Sequence, residues 1–304
     1  MVKRFFWISI VFSLIFIFSV DGVSAAGEAY FNIKTDYRTD GLSWNIAGNL
    51  DGEDPNILSE LTWKELQICQ LVAEIKLDLN QKLTFQSSLG YGLIGRGYSQ
   101  DSDYYGNDRT MEFSRSNNQS NGDNVWDGSI SIGYRMINNP KWDLILSAGY
   151  SWNRQNLRMT DGYQTIPDTG AFTGLNSTYK SSWNGPLVGV YAANQFRPNW
   201  HLFGNVEYHW ADYYGEGNWN LRDDLLHPVS FIHQADGGGV VTIIGVEYSI
   251  PDEWSVDLSY KQANWAAGNG LDQVFSADGL IGYTRLNEVV WNSSVITFIV
   301  RRFF

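Results

Sequence analysis

The sequence predicts an all-β fold: a ten-stranded antiparallel transmembrane β-barrel with short periplasmic turns and long extracellular loops. Three observations predict it. The chain opens with a secretory address. Segment after segment then alternates apolar and polar residues, with Trp and Tyr at the borders of the apolar faces. The connections between those segments are alternately short and long, as membrane barrels require.

The address comes first. Lys3 and Arg4 precede an apolar run from Phe5 to Val20, followed by Asp21-Gly22-Val23-Ser24-Ala25-Ala26. A basic start, an apolar stretch and small residues before a cleavage point define a signal peptide. Residues 1–25 are therefore expected to be removed, leaving 26–304 as a single barrel. The run is short for a permanent span.

The mature chain is read from its period. In 82–94, Leu83, Phe85, Leu89, Tyr91 and Leu93 share one face, and Thr84, Gln86, Ser88, Gly90 and Gly92 share the other. A period of two with one apolar face is a strand. Trp142, Leu144, Leu146, Ala148, Tyr150 and Trp152 repeat the pattern, as do Trp200, Leu202, Val206, Tyr208 and Trp210. Trp254, Val256, Leu258 and Tyr260 form a further apolar face, and Ile296, Phe298, Val300 and Phe304 the last. The strands are expected at about 29–50, 57–79, 82–105, 124–137, 142–160, 178–196, 200–218, 239–250, 254–268 and 289–304. Tight turns lie at Asn80-Gln81, Asn138-Asn139-Pro140-Lys141, Arg197-Pro198-Asn199 and Pro251-Asp252-Glu253, rich in the residues that turns select. Long polar connections run through about 106–123, 161–177, 219–238 and 269–288, with a shorter one at 51–56.

Composition excludes several classes. The 304 residues carry a net charge of -12, so a basic nucleic-acid binder is not expected. Cys69 is alone and forms no internal disulfide. Aromatic residues make up 15% of the chain, too many for a disordered one. A mean hydropathy of -0.26 fits a barrel, in which only alternate residues are apolar. A soluble sandwich also alternates, but mid-strand Asp, Glu and Lys suit a polar lumen better than a core. Ten strands enclose too little space for a diffusion porin, so polar interior residues should nearly close the lumen and function should sit at the loop end.

Several stretches resemble the omptins, ten-stranded outer-membrane aspartic-type endopeptidases of a wider adhesin and peptidase superfamily. Leu58-Ser59-Glu60-Leu61-Thr62-Trp63-Lys64 resembles their Ser-x-Leu-x-Trp-Lys segment. Gly95-Arg96-Gly97 with Gln100-Asp101-Ser102-Asp103-Tyr104 resembles their Arg-Gly and Asp-x-Asp-aromatic stretch. Ala148-Gly149-Tyr150, Tyr179-Lys180 and Pro186-Leu187-Val188-Gly189 resemble their fifth and sixth strands. The chain also resembles outer-membrane proteins of chlamydia-like and other environmental bacteria. A terminal Phe closing an alternating strand is similar to the end of bacterial outer-membrane proteins. The resemblance implies an integral location in a Gram-negative outer membrane, lipopolysaccharide as a lipid partner, and a rim that acts as an adhesin or an altered peptidase on a peptide or host-surface ligand. It implies no cofactor.

It also implies a site. In omptins an aspartate pair faces an Asp–His dyad, and water between them attacks the peptide bond. Asp101 and Asp103 match the pair. Two residues apart on a strand, they point the same way, about 7 Å apart. Their odd parity conflicts with the even lumen parity of 82–94, and a bulge at Gly95-Arg96-Gly97 would restore it. The dyad positions hold Gly217 and Trp219 instead. The nearest substitute is Asp223-Asp224-Leu225-Leu226-His227, in which Asp223 or Asp224 would serve His227. On a straight strand Asp223 and His227 lie about 13 Å apart, so a turn at Pro228 would be needed.

Other polar residues have plainer readings. His201, Glu207 and His209 are expected in a lumen network, with His209 and Glu207 able to pair. His233 is read as a solvated loop residue, and Cys69 as facing lipid. No histidine cluster has metal-ligand spacing. Asp236-Gly237-Gly238-Gly239 precedes no helix and makes no phosphate loop. A working peptidase and a narrow or purely structural barrel stand as alternatives to the rim reading.

Overall fold

A computed structural model describes residues 29–250 and 254–302. The signal-peptide expectation, the Pro251 turn and the terminal Phe lie outside them. The described residues form β1 (Ala29–Ile46), β2 (Ser59–Asp78), β3 (Leu83–Gly106), β4 (Thr110–Gln119), β5 (Asn124–Asn138) and β6 (Trp142–Ile166). There follow β7 (Asp168–Ala171), β8 (Ser177–Arg197), β9 (Trp200–Asn218), β10 (Phe231–Ile250), β11 (Trp254–Phe275) and β12 (Ile281–Arg302).

These twelve strands make ten staves. Antiparallel pairing runs from β1 through β2, β3, β5, β6, β8, β9, β10, β11 and β12, and β12 returns to β1. Among the described residues the ring closes where Asp36–Ile46 of β1 pairs with β12, the arrangement that satisfies backbone groups in lipid. β4 is not a loop, as polar 106–123 had led one to expect. It descends between β3 and β6 as the upper half of the fourth stave, and β5 continues below it. The two halves are offset at Ser120–Asp123, where the Gly122 amide donates to the Ile94 carbonyl. β7 is a small hairpin strand on the top of β6. The other long connections are also shorter than expected, because β10 begins at Phe231, β11 ends at Phe275 and β12 begins at Ile281.

The side chains change sense along each stave. In the lower half, apolar residues point out: Leu146, Ile132, Val188, Leu202 and Phe298 are all exposed. Aromatic belts bound this zone. Trp142 and Trp200 stand at the turn end, and Trp152, Tyr208 and Trp210 higher up. Eight to ten residues between belts, at ~3.3 Å each and a ~40° tilt, span about 20–25 Å, the height of a barrel's apolar band. The lower lumen is polar. Lys34 bridges Glu74 at 2.6 Å, and Arg135 lies 3.1 Å from both Asp78 and Asp143. A cavity of about 590 Å³ remains there.

Above the upper belt the pattern inverts. On β8, Tyr179 and Trp183 point in and are fully buried, while Lys180 between them points out. Water surrounds this half, so the outer wall is polar and the lumen can hold an apolar core. Trp44, Leu61, Trp63, Leu157, Tyr179, Trp183, Tyr213, Phe231, Trp265, Leu286 and Trp291 fill it. Trp265 stacks on Trp291 at 5.3 Å, and Trp183 lies 5.9 Å from Trp265. Close approach needs glycine at two places. A Cβ on Gly215 would meet the Tyr179 hydroxyl at 2.2 Å, and one on Gly239 the Trp265 ring at 2.4 Å. The lumen is thus closed by an apolar layer, not by the polar residues the sequence suggested.

Between core and cavity lies a charged network. Arg38 reaches Asp40 at 2.5 Å and Asp127 at 2.5 Å, and the Trp291 indole donates to Asp40 at 3.0 Å. His209 sits nearby, 3.0 Å from Glu207 and 2.8 Å from the Ser151 hydroxyl, the lumen pair expected from their spacing.

Candidate functional site

The third stave builds one wall of the mouth. β2 bulges at Glu65–Leu66 and β3 opposite it at Gly95, so the register is the same on both sides (Lys64 with Tyr98, Ile68 with Ile94) while the inward parity of both strands switches. This is the phase correction that the glycines imply. Above it, odd residues of β3 point into the barrel, and Asp101 and Asp103 share the inner face. Asp103 accepts hydrogen bonds from Ser59 and Ser114 on the flanking strands, and Asp101 from Trp219. Arg222 stands near both.

Burial, then the neighbouring Asp103 charge, pushes the Asp101 carboxyl up to about 8. Asp103 is raised too, chiefly by burial. The pair therefore holds a proton at neutral pH, as close carboxylates do. The sign of the linkage follows. Between the ordinary 3.8 and about 8 the folded state binds this proton more tightly than the unfolded chain, so stability falls as pH rises through that window. Asp101→Asn removes the burden. Its urea midpoint, relative to the natural protein, should rise on going from about pH 6 to about pH 9. A pH-independent difference would contradict the assignment.

The substitute dyad is not assembled. The loop after β9 carries it over the mouth, held by the Leu226 amide on the Phe275 carbonyl and the Ala277 amide on the Asp224 carbonyl. Arg222 grips the Asp224 carboxylate with two hydrogen bonds of 2.8 and 2.7 Å and holds its pKa below the ordinary value. His227 is exposed, with Nδ1 2.7 Å from Asn218 Oδ1. Asp223 is exposed beside it. Pro228 follows in a cis peptide, but the turn brings neither aspartate onto the imidazole.

A different histidine–aspartate pair is present. His233 on β10 and Asp272 on β11 are cross-strand partners, with Nε2 3.2 Å from Oδ1. Tyr179 lies 2.8 Å from Nδ1, Tyr213 bonds Tyr179, and Thr284 donates to Asp272 at 2.8 Å. Burial holds the Tyr179 hydroxyl well above its ordinary pKa. His233 is fully buried rather than solvated, because β10 begins two residues before it. It lies on the eighth stave, across the ring from Asp101 on the third. Aromatic rings stand between them: Trp219 is 4.7 Å from Phe231, and Phe231 5.0 Å from His233. The residue two before His233, where an Asp-x-His motif would place its acid, is Phe231. Only the strand pairing reveals Asp272.

A closed ring of ten antiparallel staves, with lipid-facing belts and an acid pair at the mouth, defines an outer-membrane β-barrel of omptin-like architecture. The chain belongs to the Pom family, Protochlamydia outer membrane protein, which it matches over residues 32–304. It is an integral protein of the outer membrane. Among solved structures it is similar to the outer membrane protease OmpT from Escherichia coli. They share 14% identity over 90% of this chain and 96% of that one, with a TM-score of 0.76. The translocator domain of the autotransporter NalP from Neisseria meningitidis matches 93% of this chain and 90% of its own at 12% identity, with a TM-score of 0.37. At these identities the likeness is one of fold. No curated protein matches the sequence.

Proposed function

We propose that the protein works through its extracellular rim as an adhesin-like receptor for cationic protein segments. One observation carries this reading: among the described residues, the groups that set the charge of the acid pair are each other, Trp219, Ser59, Ser114, Glu112 and Arg222, and no imidazole is among them. His227 holds Asn218 through Nδ1, and His233 lies fully buried behind the aromatic rings, with Nδ1 on Tyr179 and Nε2 3.2 Å from Asp272. General-base activation of water needs a ring nitrogen within reach of it. The rim supports binding instead. Asp168 projects from the start of β7, and Asp51, Glu53, Asp54, Asp223 and Asp278 from the rim loops, where Arg109, Arg222 and Arg285 are already engaged with the protein. An acidic mouth attracts basic ligands and does so less at high salt.

A second reading is favoured by the placement of His233 and Asp272 opposite Asp101 and Asp103. If Trp219 swings away, the two pairs face each other as the parts of an aspartic-type endopeptidase would. Lipopolysaccharide is the lipid partner in either case, and outward Arg154, just above Trp152, suits its phosphates.

The protein refolded in detergent with lipopolysaccharide, and a fluorescent Lys/Arg-rich peptide, separate the two. Saturable, salt-sensitive binding without cleavage is expected, weakened by Asp223→Asn. Cleavage abolished by Asp101→Ala or His233→Ala would overturn the receptor reading in favour of the second.

A further inference from the structure

We propose that the outer wall formed by β2, β3, β4 and β6 is an oligosaccharide-binding groove, separate from the mouth. The outside of a barrel is convex, yet here it is indented by a groove of about 450 Å³. The cause is local. β4 is bulged at Arg115–Ser116 and again between Asn117 and Gln119 where it meets β6, and Asp161 of β6 has a φ of 51°. Bulges bend a strand and strengthen its twist, and here they fold the wall inward.

The groove is ordered in rows. Thr62, Gln100, Asn117 and Tyr163 pair across four consecutive strands. Three strand spacings of ~4.8 Å make that row about 14 Å long, room for a short saccharide. On the next row Lys64 pairs with Tyr98 and Tyr98 with Gln119. Gln100 donates to Asn117 at 2.8 Å. That bond fixes both amides and leaves the Gln100 oxygen and an Asn117 N–H for a ligand. The Arg96 guanidinium lies 5.3 Å from the Tyr98 ring centre and orients it. Tyr163 is 50% exposed and offers an open ring face.

This is the chemistry of polyol recognition. Fixed amides match paired hydroxyls, and tyrosine faces match the C–H face of a sugar ring. A lipid tail would find no aliphatic side chain here. A phosphate would find Lys64 with Asp161 beside the same groove. Height agrees with the chemistry. Tyr98 stands seven residues above the exposed Tyr91, which the pairing through Trp126 to Arg154 sets level with the upper belt, so it lies about 18 Å beyond the membrane interface at ~3.3 Å per residue and ~40° tilt. At that level an outer-membrane barrel is surrounded by sugar chains. The saccharide could come from the glycolipid of the same membrane or from a free glycan.

Calorimetric titration of the refolded protein in detergent tests the groove, with two probes: lipid-free lipopolysaccharide core oligosaccharide and the neutral oligomer chitotetraose. Saturable binding of at least one probe is expected, and the probe that binds identifies the source. Tyr163→Ala and Asn117→Ala should each weaken it about tenfold, the loss of a stacked ring or a fixed amide. Tyr163→Phe should retain it, because the ring face persists. Asp101→Asn, at the mouth, should leave it unchanged. Both side chains are exposed, so the variants fold. No saturable binding of either probe, or binding indifferent to Tyr163→Ala and Asn117→Ala, overturns the proposal.

Discussion

Replacing Arg38 by alanine should lower the free energy of unfolding by about 3–5 kcal/mol, the cost of stranding buried charge. Arg38 and Asp40 are almost wholly buried, and Asp127 is mostly so. The guanidinium is the cation between two carboxylates, and Gln70 also donates to Asp127. Without Arg38 the two acids must be hydrated, be protonated or repel each other in a low-dielectric lumen. Removing the whole cluster is a different experiment. Arg38→Met with Asp40→Leu and Asp127→Leu should be far milder, since apolar residues can replace a buried ion set at little cost. The exposed Arg222–Asp224 pair is the contrast. With side chains 56% and 63% exposed, it should contribute no more than about 1 kcal/mol. Urea unfolding in detergent micelles, followed by tryptophan fluorescence, measures all three. A single-variant loss near that of Arg222→Ala would show that the Arg38 network is not a keystone of the lumen.

The ease with which the fold can be read from the sequence has the same physical root as this network: contrast between the two sides of the wall. In the membrane zone one side meets lipid and the other a wet lumen, so Leu144, Leu146 and Ala148 alternate with Asp143 and Ser147. Above the belts the contrast fades or reverses. The run Ser114-Arg115-Ser116-Asn117-Asn118-Gln119 is polar on both faces, because the outer wall is in water and Asn118 points in against Met159. A period-two search finds nothing there, and β4 reads as a loop. The same loss of contrast hides the tops of β10 and β11.

The candidate site divides along that line. Asp101 and Asp103 were singled out by the family resemblance, and their common inner face followed from their spacing of two on one strand, after glycines able to shift the phase. His233 and Asp272 were not. They are 39 positions apart in the chain and meet only through the pairing of two strand ends that look like polar loop. The signal that could have found them is weak but physical: Phe231, His233 and Ala235 continue the inward parity of β10 above Gly237. Conversely, Asp224 and His227 look paired in sequence. Arg222, two residues from Asp224, takes the carboxylate first.

Opening the aromatic layer should have the other large effect. Trp183 is fully buried, 4.5 Å from Tyr213 and 6.2 Å from Trp291. Trp183→Ala should cost about 3–5 kcal/mol through lost burial and the cavity left behind. The functional consequence is larger than the energy. This layer lies between the lower cavity of about 590 Å³ and the mouth, and it should be the barrier to ion flow. In a planar lipid bilayer the natural protein should show no stepwise conductance. Trp183→Ala alone leaves Trp265 stacked on Trp291 and should stay silent. Trp183→Ala combined with Trp291→Ala removes two of the three mutually packed indoles, Trp183, Trp265 and Trp291, and should join cavity to mouth, giving discrete openings. The strand ring, closed by backbone hydrogen bonds in lipid, should hold its shape while the lumen is emptied. Conductance by the natural protein would contradict the seal and favour a narrow pore. A folded double variant that conducts nothing would place the barrier elsewhere, at the Arg38 network below.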